Sequence, residues 1–582
     1  MSDERIVPTP APADLSTVTI MTDGQPINSE YNLVSVTVDR ALNKVPAARI
    51  MLLDGDVAKE DFEISNSGDF VPGKEIEILA GYHAQESTIF KGIIVQHGLK
   101  VRKGKPSYLV LDCRDAAVKM TVGRNNGYYK EMKDAEIIEE LIGEYGLTAD
   151  VEATDVTHPE MVKFNTTDWD FMLSRAEVNG KLVIVDDGTV SLKAPDTSQE
   201  PLLSLIHGST MMEFEAALDA RSQLTAAKAG AWDYAAQEII EEAGDSVDFS
   251  EAGNLDAATL AGVIGLKTFA LQHTGQVADA ELKSWASGAL LKSRLAKIIG
   301  RVKCQGFGEI KPGHMLELKG VGDRFNGKAF VAAVRHQIDS RNWVTDIQFG
   351  YTARWFAERH RLMERSAAGL LPGVHGLQIG VVTQLESDPD GEDRVLVRMP
   401  IVDPEEEGIW ARMASPDAGQ NRGIFFRPEI GDEVVLGFLN GDPRDPVILG
   451  MLNSSAKPAP LTAADDNHEK GLVTRSAIKL VFNDDEISVK LETPNGNTLT
   501  VSDQEGAILL EDENGNKITM NADGITLESA ADVNITASGD VNIDGTSINV
   551  SASAQFKAEG SAGAEVSSSA TAVLKGSLVQ IN

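Results

Sequence analysis

The chain has 582 residues, with 88 acidic against 53 basic side chains and a formal net charge of −35, so about three or four domains are expected from length alone. That acidic balance argues against nucleic acid or an anionic membrane as the main partner, because neither tolerates a uniformly acidic surface. The two cysteines, Cys113 and Cys304, offer neither a metal-ligand spacing nor a disulfide framework, which fits folding in a reducing cytoplasm.

Residues 1–16, MSDERIVPTPAPADLS, read as a Pro- and Ala-rich arm. Acids and prolines stand where a secretory signal needs an apolar stretch, and no window of about 20 apolar residues offers a membrane span. From Val18 to about Met120 the runs VTIMTDGQPI, NLVSVTVDRAL, AARIMLLDG, KEIEILAGYH, TIFKGIIVQHGLKV and SYLVLDCRD alternate or stay apolar between Gly, Asp and Pro, which predicts an antiparallel barrel or sandwich. Cys113 lies in the last of these as a small core hydrophobe. Residues 131–145 put Ile137, Ile138, Leu141 and Ile142 on one helical stripe ending at Gly146, and a second helix is expected over 168–179, stopped by Gly180. The strands KLVIVDDG and TVSLKAP follow through an Asp-Gly turn. Residues 221–299 are Ala-rich and expected to be mostly helical, most clearly in ADAELKSWASGALLKSRLAKIIG. Strands resume in GRVKCQGFG, HMLELKG, KAFVAAVRHQID and WVTDIQFG, so 17–370 reads as two related β-barrel units with helical insertions.

A short helical stretch, ARWFAERHRLMERSAAG, leads into 371–455, whose five short strands suit a small barrel of OB type. Residues 456–471 are a linker by composition, and period-two strands with Gly, Asn and Asp turns fill 472–582. In that last part apolar pairs two apart recur mostly every eight residues: Ile525/Leu527, Val533/Ile535, Val541/Ile543, Ile548/Val550, Phe556/Ala558, Ala564/Val566 and Ala572/Leu574. The pairs at 508/510 and 518/520 keep the theme at looser spacing. Eight residues span at most about 27 Å including a turn, too little for one coil of a single-chain β-helix. Three chains can close the coil if each supplies one face of a prism and the inward residues meet on a three-fold axis. The alternative, an antiparallel meander of short hairpins, is disfavoured by the scarcity of bulky residues, Phe556 being the only aromatic after Phe482. The expected axial core is Ile525, Leu527, Val533, Ile535, Val541, Ile543, Ile548, Val550, Phe556, Val566 and Leu574.

These features resemble the VgrG-type spike proteins of contractile injection systems, which fuse the hub and needle of a contractile phage tail. The resemblance rests on RPEIGDEVVLGFLNGDPRDPVILG (427–450), on FKGIIVQHGLKV (90–101), on TTDWDFMLSRAEVNG (166–180) and on the terminal repeat; TPNGNTLTVSD and ENGNKITMNADGITLES look like the branch found in extracellular phage-tail-like particles. Gly431, Gly441, Asp442, Pro443, Pro446 and Gly450 carry the OB-type signature. The resemblance implies a homotrimer whose tube-like barrels join the inner tube and baseplate proteins, whose OB barrels gather the chains, and whose needle is a trimeric triple-stranded β-helix. It also implies a PAAR-type tip protein docked on Leu578, Val579, Gln580, Ile581 and Asn582, with effector cargo as a further partner. The target membrane would be met only transiently, on puncture. Such a protein folds in the bacterial cytoplasm without a signal peptide and leaves within the particle.

The scan for chemistry supports no enzyme, no cofactor and no metal site. There is no Walker A loop, HExxH or Gly-x-Ser-x-Gly, and no His-x-His near the end. DPDGED (388–393) and DENGNK (512–517) lack the calcium-loop pattern and read as solvated turns. His97, His336 and His375 read as satisfied partners in strands and loops, and Asp442 and Asp445 as turn formers beside Pro443 and Pro446. Two competing functions are a β-helical depolymerising tailspike, which requires sugar-binding aromatics and an acidic pair, and an adaptor whose insert 215–299 binds a toxin or a baseplate protein.

Overall fold

The computed structural model describes residues 16–82, 85–247, 249–250, 252–339, 342–360, 362 and 365–581. The N-terminal arm, apart from Ser16, and the tip residue Asn582 lie outside the described residues. The chain divides into two compact units, 1–376 with 438–445, and 377–437 with 446–582.

The first unit is built on one continuous 13-stranded sheet. Its two halves meet where Leu33–Ala41 pairs with Gly327–Asp339, in antiparallel register from Ala41↔Ala333 to Ser35↔Asp339. Each half surrounds its own core, so the two expected β units exist as two cores sharing a sheet. The first core holds Val36, Val38, Ile50, Leu52, Phe90, Leu109, Leu111 and Cys113, with Ile338 and Trp343 reaching in from the far side of the seam. The second holds Leu203, Leu205, Val302, Cys304, Leu316, Val331, Ile347 and Phe349. Alternation in the sequence produces this directly: in Leu33–Ala41 every second residue from Val36 is buried. Arg40 falls on a buried position too, and its guanidinium is neutralised by Asp186 and by Asp187, the latter at 2.8 Å.

Among the described residues the unit carries five α-helices: α1 (Asp134–Gly143), α2 (Asp168–Val178), α3 (Ala257–Ile264), α4 (Asp279–Leu295) and α5 (Phe356–Arg359). α1 buries Ile137, Ile138, Leu141 and Ile142 as its stripe demands, but ends at Gly143; Gly146, at φ +69°, lies three residues further on. Thr167 caps α2 by accepting the Asp170 N–H at 3.0 Å. The hairpin Leu182–Asp186/Thr189–Lys193 turns through Asp187 and Gly188, both at positive φ.

The expectation of a mostly helical 221–299 is corrected. Ala227–Asp233 and Glu238–Ala243 form an antiparallel pair, Phe269–His273 adds a parallel strand, and α4 covers one face. Alanine-rich composition favours helix in isolation, but here Ala227, Ala229 and Ala231 alternate at period two and give the flat surface on which Leu282, Ala286 and Ala289 of α4 sit. No helix among the described residues is long and apolar enough to cross a membrane.

In the second unit Gln378–Gln384, Val395–Arg398, Ile409–Met413, Pro446–Met451 and Glu433–Phe438 close into a five-stranded barrel. Val382, Val395, Val397, Ala411, Val434, Leu436 and Ile448 fill it. Glu469–Glu528 follows as seven antiparallel strands in sequence order. This stretch is therefore a hairpin meander, an arrangement the sequence reading weighed and disfavoured for the eight-residue repeat, of which only the Ile525/Leu527 pair falls here. Turns at Gly496 (φ +92°) and Gly515 (φ +85°) reverse the chain. From Ser529 to Ile581 no strand is formed.

Candidate functional site

The meander has one apolar and one mostly polar face, because six of its seven strands place two apolar residues two apart and register aligns them. One ladder runs Leu472, Leu480, Leu491, Leu499, Leu510, Ile518, Leu527, each directly opposite the next. A second runs beside it on the same face: Phe482, Val489, Val501, Ile508, Met520, Ile525. Lys470 heads this second ladder opposite Phe482 and pairs with Asp484. The other face carries Lys490, Thr500, Thr519 and Asn521, with Lys490 and Lys479 held by Glu492 at 2.8 and 3.5 Å.

The two ladders are uncovered in the single chain. Leu499, Leu510 and Ile508 remain more than a third exposed, and Ile525 is 76% exposed. A contiguous exposed apolar face of this kind marks an association surface. Beyond it Val533, Ile535, Val541, Ile543, Ile548, Val550, Phe556, Val566 and Leu574 are all exposed, on backbone that forms no strand. Regularly spaced apolar pairs left exposed on strand-free backbone mark a segment that gains by covering those side chains with a partner. Of the expected tip residues, Leu578, Val579, Gln580 and Ile581 are likewise exposed.

Sequence reasoning missed the upper half of the apolar face: Leu472, Leu480, Phe482, Val489, Leu491, Leu499 and Val501. The signal was present, since the same apolar pair occurs in LVF, VKL and LTV, but at steps of nine to ten residues instead of eight.

The OB-type signature forms a tight turn after the barrel strand Glu433–Phe438. Leu439 N–H donates to Asp445 O, Asp442 N–H to Leu439 O and Asp445 N–H to Asp442 O, at 3.0–3.1 Å. The Asp442 carboxylate accepts from Arg444 through its guanidinium (2.7 Å) and its backbone N–H (2.9 Å), which holds its carboxyl below the usual range. Gly441 takes φ +65°, Gly431 takes φ +86°, and Pro446 is buried at the start of the next strand. A side chain at Gly450 would meet open space, so this chain alone does not require glycine there.

The residues weighed for chemistry are occupied by structural contacts. Asp388 accepts from the Arg394 guanidinium and from the N–H groups of Asp390, Glu392 and Arg394. Asp512 accepts from the N–H groups of Asn514 and Asn516, closing a hairpin. His97 lies between Ser65 Oγ (2.7 Å) and Phe70 O (2.9 Å), while His336 meets Thr345 Oγ1 at 3.0 Å in full burial, which pushes its pKa down to about 3. His375 reaches Ser366 Oγ at 3.4 Å. Among the described residues no three His, Cys, Asp or Glu side chains converge as a metal site would.

Three family models match the chain: an Alg8 N-terminal domain over 12–340, a type VI secretion system/phage-baseplate injector OB domain over 378–452, and a phage baseplate V C-terminal trimerisation domain over 488–582. The type VI secretion system spike protein VgrG1b of Pseudomonas aeruginosa is 31% identical over 114 residues, 18% of this chain and 15% of that protein. The actin cross-linking toxin VgrG1 of Vibrio cholerae is 31% identical over 112 residues, 18% of this chain and 10% of its own length. The chain thus matches only a minor part of these relatives. A solved E. coli protein described as a type VI secretion component similar to T4 tail proteins gp27 and gp5 aligns over 74% of this chain and 99% of its own, at 14% identity and a TM-score of 0.38. The Alg8 N-terminal model spans more than half of the chain, which belongs to that family, and the injector OB and trimerisation models that follow it in order, together with the VgrG relatives, mark the chain as a VgrG-type spike protein of contractile injection systems.

Proposed function

We propose that three copies assemble through the apolar face of residues 472–527 and the segment 529–581 into a rigid needle. The needle is driven through a target envelope by sheath contraction, with no catalysis by this chain. The uncovered double ladder, followed by strand-free backbone carrying exposed apolar pairs, is the observation that carries this reading. Ile525 and Leu527 through Leu574 form the axial core, joined by the upper ladder residues that begin at Leu472. In the proposed division 1–16 is an arm, 17–370 the hub, 371–455 the OB domain, 456–471 a linker and 472–582 the needle. The hub joins the inner tube and baseplate, and Leu578–Asn582 receive a PAAR-type tip. The particle is assembled in the cytoplasm and then exported or released.

Light scattering of the full chain tests the assembly and should read three times 62.4 kDa. A monomer at working concentration refutes the needle. Deleting Leu578–Asn582 should leave the trimer intact and abolish co-purification with a PAAR-type protein; unchanged capture refutes the docking assignment.

A second, compatible reading is supported by the insert. Its hairpin presents Trp232, Tyr234 and Ile239 to solvent, with Trp232 directly opposite Ile239. Aromatic residues of this kind anchor protein interfaces, which suits a cargo or baseplate contact. Replacing all three with Ser should weaken cargo loading without changing the trimer.

A further inference from the structure

In the hub, an amine, a carboxamide and a carboxylate meet beside the ribbon formed by Asn125–Lys133 and Thr157–Thr166. Lys163 projects from the second strand and its side chain is 2% exposed; Asp168, the first residue of α2, is 1% exposed. The Lys163 Nζ contacts both Asp168 Oδ1 and the amide oxygen of Asn125. The other Asp168 oxygen accepts from Asn125 Nδ2 at 3.2 Å and from the Tyr145 hydroxyl. One carboxylate therefore touches both the amine and the amide nitrogen, while the amine touches the amide oxygen, one bond from the carbonyl carbon.

A purely electrostatic role explains this arrangement poorly. A buried ion pair contributes little net stability once desolvation is counted, and it does not require an asparagine closing the ring of contacts. We propose that Lys163 and Asn125 are joined by an intramolecular isopeptide bond, with Asp168 carrying the proton. The Nζ lone pair attacks Cγ of Asn125, the Nζ–Cγ bond forms and the Cγ–Nδ2 bond breaks. Asp168 takes a proton from Nζ and delivers it to the departing Nδ2. From the neutral amine and a primary amide the products are a secondary amide and ammonia, with the one proton passing from Nζ through Asp168 to Nδ2, so the step balances with no oxidant or reductant.

The surroundings suit each part. Burial holds the Lys163 pKa below its ordinary value, favouring the neutral nucleophile. Asn125 is exposed, giving the leaving ammonia a path to solvent. Tyr145 fixes the Asp168 oxygen that faces the amide nitrogen. The link would tie the opening of one ribbon strand to the other, in a chain whose two cysteines are buried in separate cores. Unlike a disulfide, it would survive a reducing compartment.

The intact mass of the denatured full chain should be about 17 Da, one ammonia, below that expected from its sequence. Proteolysis should yield one branched peptide containing Asn125 and Lys163. Lys163→Arg and Asp168→Asn should each restore the full mass, whereas Asn125→Asp should still cross-link, now with loss of one water. Unmodified mass in the wild type, with the two peptides recovered separately, overturns the proposal without reference to any variant. Loss of one water with Lys163 joined to Asp168 overturns the assignment to Asn125.

Discussion

Ile525 and Thr526 are neighbours on the last strand of the C-terminal sheet, and the pleat sends them to opposite faces. Ile525 continues the ladder through Met520, whereas Thr526 pairs with Thr519 on the polar side. Fully burying an isoleucine is worth about 1.5–3 kcal/mol. With Ile525 still 76% exposed in the single chain, most of that, about 2 kcal/mol, has to come from other copies. Three copies per axial level make about 6 kcal/mol, or roughly 10⁴ in the trimer association constant. Ile525→Asp removes this term and sets three carboxylates on one level, so the loss should be at least that large. Thr526→Asp should leave association close to wild type. Sedimentation of each variant over a concentration series reads the outcome directly. If Ile525→Asp sediments as the wild type does, or if Thr526→Asp dissociates instead, the assignment of faces is wrong.

Three further outcomes are expected. Glu177 is buried between α2 and α4, where it binds Lys292 Nζ at 2.6 Å and the Phe356 N–H at 2.5 Å; Glu177→Ala leaves the Lys292 ammonium buried without its carboxylate and should cost the hub about 3–5 kcal/mol in chemical unfolding. Burial by itself would raise the Asp134 carboxyl, but Arg175 at 2.7 and 2.9 Å, Asn179 at 2.8 Å and His158 at 3.2 Å hold it below its ordinary 3.8. Its contribution is therefore complete above the unfolded value and lost as pH falls through the lower folded one, so Asp134→Asn should flatten the acid limb of the thermal stability curve below about pH 4; an unchanged limb would contradict this. In the OB barrel a Cβ on Gly380 would lie 2.5 Å from Val397 Cγ1 and 2.9 Å from Leu436 Cδ1, so Gly380→Ala should overpack the barrel by about 1–3 kcal/mol, read from Trp410 fluorescence in urea.

Much of the architecture was legible because it depends on local pattern. Alternation in NLVSVTVDRAL wrote a strand with one buried face, the stripe Ile137, Ile138, Leu141, Ile142 wrote α1, and five short strands after 377 wrote a closed barrel. The insert misled because alanine is compatible with both periods: Ala227, Ala229 and Ala231 form a strand only once α4 lies across them. The apolar face was half legible, since regular spacing exposed the pairs from Ile525 onward and the longer hairpin steps hid those before it.

The sequence by itself determined which residues face which way within the strands, because side-chain direction follows backbone period: the i, i+2 pairs from Leu480 to Leu527 had to share a face whatever lay opposite. Only the tertiary structure decided what lay opposite. Up to Glu528 the ladders close within the chain, and from Ser529 they do not, a difference that a period-two pattern cannot express because it is identical in both arrangements. The meeting of Asn125, Lys163 and Asp168 was equally hidden, because it depends on the antiparallel register that brings residue 166 opposite residue 125 and on α2 beginning two residues later.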